Sequence, residues 1–267
     1  MAGRLAALGT RLALGVGMTQ AIVSNPATAS AVIHAISSAA QRTGVDFSYL
    51  MANARAESGL DPMARARTSS ASGLFQFTDA TWLATVARHG EKHGLGWAAD
   101  ALKAGAPPAV KQTILALRHN AEASAGMAAE FTRDNAAKLE GALGRAAGAA
   151  DLYLAAFFGA GGAVRFLKTM AAAPGMAADK LLPAAAAANR STFFHADGRA
   201  RSLAEVHDLV AGRINRNLAG AAPAALAQRP AASGNSLPQA GSILPPPDAA
   251  VHAARARMAY LVLAAMQ

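Results

Sequence analysis

The stretch ARAESGLDP (residues 54–62), followed at a short interval by ASGLFQFTDATW (residues 71–82), decides how this chain is read. Phe47 to Arg55 reads as a helix whose end is announced by Ser58, Gly59 and Pro62, so Glu57 falls near a helix C-terminus. The helix dipole is negative there, and Ala54, Ala56 and Leu60 are apolar. Both effects disfavour an ionised carboxylate and imply a raised pKa at Glu57. That is the state a general acid requires. The other local reading is a solvated glutamate at a helix end, the usual place for a glutamate.

The second segment sets Ser72 and Gly73 before an apolar pair and a buried-looking amide, Gln76. Together the pattern ESGLDP, SxSGLFQF and TW resembles the catalytic core of the soluble lytic transglycosylases, the lysozyme-like enzymes that cut bacterial peptidoglycan. Glu57, Ser58, Gly73, Leu74 and Gln76 carry the match. A third segment, LAAFFGAGGAVRFL (residues 154–167), resembles the family's LAAYNAGPGAVRR without a gap. The family's tyrosine and asparagine are Phe157 and Phe158 here, so the hydroxyl that contacts the catalytic glutamate in the family is missing at its usual position. Tyr153 lies one helical turn before Phe157 and offers a hydroxyl on the same face. The alternative for these three aromatics is ordinary helix core.

The resemblance implies an all-α, lysozyme-like fold and cleavage of the β-1,4 bond between N-acetylmuramic acid and N-acetylglucosamine. Glu57 would act as the single general acid and base and leave a 1,6-anhydro end. It implies Ser58, Ser72, Gln76 and Phe157 as substrate-binding residues, and neither cofactor nor metal; Tyr153 joins them by its helical spacing. A hydrolase of the lysozyme type would need a second carboxylate roughly 5 to 9 Å from the first. Asp61 and Asp79 are the candidates, but Asp61 reads as a turn residue before Pro62 and Asp79 as a helix N-cap. A third reading is a non-catalytic peptidoglycan-binding scaffold that keeps the fold. Trp82 and Trp97 are read as core rather than as sugar-stacking residues.

Composition agrees with a helical envelope enzyme. The 267 residues are 53% hydrophobic, much of it alanine, with no sustained alternation, so helix is expected and no sheet of consequence. With 25 Lys+Arg against 16 Asp+Glu the formal charge is +9, which suits a polyanionic partner such as peptidoglycan. Nucleic acid is the competing polyanion. The cations are spread as singles and pairs, such as Arg65 with Arg67 and Arg213 with Arg216, and form no stripe with interleaved aromatics. Cysteine is absent, so no disulfide or thiolate site is available. His89 and His93, four apart in RHGEKHG, share a helix face as a metal pair would, but no third ligand is evident. They are read as surface or groove-rim residues.

Four regions are expected. Residues 1–28, with Arg4, Arg11, an apolar run and ATA, faintly resemble a secretory signal, with an uncleaved segment as the alternative. Residues 29–217 form the catalytic domain, in which residues 110–141 are scaffold with a glycine break near Met127. Residues 218–248 are an Ala/Pro-rich tether, and residues 249–267 a terminal helix that docks on the domain or binds an envelope-assembly partner of flagellar or secretion type. No stretch is read as an integral membrane span. A bacterial periplasm or cell envelope setting follows from the resemblance.

Overall fold

The computed structural model describes residues 26–226, Thr68 excepted. These residues are mainly helical, with isolated β-bridges as the only extended pairing among them. The described residues fold as an all-α domain. Helix α1 (Pro26–Thr43) and α2 (Phe47–Ser58) are followed by a loop, then α3 (Asp79–His89), a 3-10 turn (Gly90–His93) and α4 (Gly96–Lys103). Helix α5 (Pro108–Ala116) runs through a second 3-10 turn (Leu117–His119) into the long α6 (Ala121–Leu143) and α7 (Ala149–Ala172). Three short helices, α8 (Ala178–Leu181), α9 (Pro183–Ala188) and α10 (Arg190–Phe193), lead to α11 (Leu203–Leu226).

Helix α6 packs against α1 and α7, and α11 closes the domain over α2 and α7. The core is alanine-rich, which lets helices approach closely, and its volume comes from a few large side chains. Trp82, Phe158, Phe166, Phe193 and Met127 are fully buried. Trp82 is core, as its sequence suggests, and its indole nitrogen donates to the Ile114 carbonyl at 2.7 Å.

Several expectations are corrected. Trp97 is 51% exposed. Helix α4 has only eight residues and turns Ala98 and Ala99 inward, which puts Trp97 on its outer side. Met127 marks no break: α6 is continuous, and Gly126 is a packing residue whose Cβ would stand 2.6 Å from His93 Nδ1. The ATA run lies in the first turn of α1, and α11 continues past residue 217 to Leu226. Residues 1–25 and 227–267, with most of the signal-like segment, the tether and the terminal helix, lie outside the described residues. Helix α7 is, among the described residues, long and apolar enough by length and composition to cross a membrane, though Gly159 breaks its helical backbone. Half of that window is packed inside the fold.

The α7 start is fixed by Asp151. Its carboxylate accepts the Gly148 amide at 2.9 Å and meets the Arg145 guanidinium at 2.6 and 3.2 Å. Burial alone would raise its pKa; the bonds from Arg145 and Gly148 outweigh that and hold it below the ordinary value. The stabilisation is therefore present above the unfolded pKa and is lost as pH falls through the lower folded value. Asp151→Asn is expected to cost about 1 kcal/mol at neutral pH in denaturant titration, as loss of a cap does. The gap from wild type should close only below about pH 4.

Candidate active site

Helix α2 builds the first wall. Asp46 caps its start by accepting the Tyr49 amide at 2.7 Å, and Gly59, at φ 65°, ends it with bonds back to the last turn. Between these stops Tyr49, Asn53 and Glu57 fall four apart on one face, all lining one cleft. Glu57 is half-buried in the final turn.

The loop from Ser69 to Thr78 makes the second wall. It has no sheet to hold it, so side chains do so. Ser58 Oγ donates to the Leu74 carbonyl at 2.8 Å, tying the loop to the turn that carries Glu57. The buried Arg118 guanidinium donates to the carbonyls of Ser70 at 2.7 Å and Phe77 at 3.0 Å and pairs with Asp79 at 2.7 Å. Gly73, at φ 83°, passes so close that a Cβ would lie 2.1 Å from the Arg118 carbonyl. Gln76 is left-handed at φ 50°, an unusual state for a side-chain-bearing residue. Its amide nitrogen clamps the Gly73 carbonyl at 2.8 Å and the Ala64 carbonyl at 3.2 Å.

Helices α6 and α7 close the cleft with Phe131, Thr132 and Asn135, and with Tyr153 and Phe157. The space is about 870 Å³ including its open mouth. Phe77 stacks edge-on against Trp82 at 5.3 Å and Phe131 at 6.0 Å, joining loop, α3 and α6. Burial first, then the neighbouring Tyr153 and Glu57, push the Tyr49 phenol above its ordinary pKa.

Four of the sequence-expected site residues, Glu57, Gln76, Tyr153 and Phe157, thus share one cleft. Ser58 and Ser72 do not line it. The Ser72 hydroxyl is buried against the Ala64 carbonyl and His119 Nε2, at 3.3 and 3.2 Å, and both serines hold the loop. Asp61 and Asp79 also lie elsewhere: Asp61 accepts the Met63 amide at 2.8 Å, and Asp79 pairs with Arg118 while Thr78 takes the N-cap. Among the described residues that line the cleft, Glu57 is the only carboxylate.

His89 and His93 are buried, not on the rim. His89 Nε2 meets Asp134 at 3.0 Å and His93 Nε2 meets Glu130 at 3.1 Å, so the histidine face pairs with a carboxylate face of α6. No metal-holding cluster of three or more such side chains occurs among the described residues. Sequence reading missed Tyr49, Asn53, Phe131, Thr132 and Asn135. The first two were signalled by their four-residue spacing from Glu57.

Residues 34–105 match the family model of the transglycosylase SLT domain. Over this segment the chain is similar to that family of lysozyme-like, peptidoglycan-lytic domains. The SLT match takes in α2, the loop, α3 and α4, while the α6 and α7 walls of the cleft lie beyond it.

Gly73→Ala is expected to lower stability by roughly 2 kcal/mol or more, because both the left-handed backbone and the contact with Arg118 must give way. Thermal unfolding measures this; an unchanged melt would show that the loop tolerates the methyl.

Proposed function

We propose that this chain is a peptidoglycan lytic transglycosylase in which Glu57 acts alone as acid and then base. The observation that carries this reading is a single carboxylate, held in the last turn of α2, in an aromatic cleft lined also by Gln76 and Tyr153. Glu57 gives its proton to the glycosidic oxygen as the bond from C1 of N-acetylmuramic acid breaks. The 6-hydroxyl of the same sugar attacks C1, its proton passes to the Glu57 carboxylate, and a 1,6-anhydro ring closes without water. One carboxyl group thus serves both transfers, and the starting state of the enzyme is restored.

Tyr153, with Tyr49, supplies the phenol that orients the carboxyl group in place of the hydroxyl missing at Phe157. Phe75, Phe77 and Phe157 shield the reacting bond from water. The net charge of +9 favours approach to the carboxylates of the wall. The setting is the bacterial envelope, where this polymer lies.

Digestion of purified sacculi tests the reading. Muropeptides with anhydro ends are expected; reducing ends would instead indicate a lysozyme, and no release under several conditions would sink both. Glu57→Gln should lower turnover by about a hundredfold or more. The paired change Tyr49→Phe and Tyr153→Phe should lower kcat by about tenfold with a smaller change in KM, read by the same assay.

A further inference from the structure

Most polar side chains that line the cleft are already engaged. Thr78 and Thr81 bond to each other at 2.9 Å, and the Thr132 hydroxyl donates to the Ala128 carbonyl at 2.8 Å. The Gln76 amide nitrogen serves two carbonyls. Two carboxamides are not so engaged. Asn53 Oδ1, one turn before Glu57, is shielded from solvent and has no hydrogen-bond partner among the described residues. Asn135, on α6, is 5% exposed, and no described residue hydrogen-bonds to its side chain.

The shielded Asn53 Oδ1 is costly to leave unpaired, and together with the uncommitted Asn135 side chain in the same cleft it asks for a ligand that bonds to both. Each carboxamide offers a carbonyl acceptor and two N–H donors. An acetamido group presents the matching set, one N–H and one carbonyl. A de-N-acetylated sugar presents an ammonium, which donates only and leaves the asparagine N–H groups unpaired.

We propose that Asn53 and Asn135 read the 2-acetamido group of the sugar seated beside Glu57, making the cleft selective for N-acetylated glycan. The proposal rests on the glycan reading above, though not on catalysis by Glu57. Asn53 and Asn135 act as positioning and specificity residues, and the loop and α7 walls confine the ring between them.

Calorimetric titration of the full chain carrying Glu57→Gln tests this, with the N-acetylglucosamine tetramer and its fully de-N-acetylated counterpart as probes. The parent should prefer the acetylated tetramer by about tenfold or more, and adding Asn53→Ala or Asn135→Ala should reduce that preference to about twofold. Where an alanine variant loses its helical circular dichroism, Asn53→Leu or Asn135→Leu, which keeps the volume and carries neither donor nor acceptor, is expected to give the same loss. A preference that survives in both positions' variants, or that is absent in the parent, overturns the proposal. Sacculus digestion by the unmodified chain separates the two readings. No anhydro release with the preference intact sinks the catalytic reading alone, and anhydro release without the preference sinks the amide site alone.

Discussion

The buried guanidinium of Arg118 is the constraint on which the cleft depends. The loop after α2 has only isolated backbone bonds, such as that from the Ser72 amide to the Phe77 carbonyl at 3.1 Å, and an unpaired buried carbonyl is expensive. Arg118 meets Ser70, Phe77 and Leu115 carbonyls and the Asp79 carboxylate from one fork of donors, which a lysine could not span. Burial lowers its pKa, but an arginine starts high enough to remain charged. The position of Gln76 follows from this: with Phe77 fixed by Arg118 and Gly73 pressed on the Arg118 backbone, Gln76 must take the left-handed turn that brings it to the cleft.

Helix α6 does two jobs on two faces. Ala128, Phe131, Thr132 and Asn135 recur at helical spacing toward the cleft. Glu130 and Asp134 recur on another face, toward His93, His89 and Arg88. Bonds from His89 and Arg88 to Asp134 outweigh the cost of its burial and hold its carboxyl below the ordinary pKa. The ionic face therefore locks α6 against α3 and the following 3-10 turn, and through that lock sets how deep the opposite wall reaches into the cleft.

The helical class, the α2 stops and Glu57 were legible because each depends on local signals: capping residues, glycine stops and a motif of close-set residues. Tyr49 and Asn53 were equally legible by spacing, since a helix that presents Glu57 also presents residues four and eight before it. The α6 wall was not, because its apolar spacing looks the same whether it faces a core or a cleft. Only tertiary packing separates the two. Ser58 and Ser72 illustrate the converse: a hydroxyl in a site motif looks like a ligand contact, while here Ser58 donates to the Leu74 carbonyl and Ser72 lies between the Ala64 carbonyl and His119, so both hold the loop. His89 and His93 looked exposed because their carboxylate partners lie about forty residues away in sequence.

The two phenylalanines of α7 show how the departure from the family pattern is absorbed. Residues adjacent in a helix point about 100° apart, so Phe157 lines the cleft while Phe158 enters a cluster with Phe166 and Phe193 at 5.6 and 5.9 Å. Gly159, at φ 71° and ψ 158°, interrupts the helix directly afterwards and lets the next segment turn back over that cluster. The same cleft holds two phenols, Tyr49 and Tyr153. A phenol pushed above its ordinary range, as Tyr49 is, stays neutral and yields its proton reluctantly. In the proposed reaction it can therefore orient the Glu57 carboxyl group without reprotonating it. The returning proton must then come from the attacking 6-hydroxyl of the substrate, and that requirement couples recovery of the acid to closure of the anhydro ring.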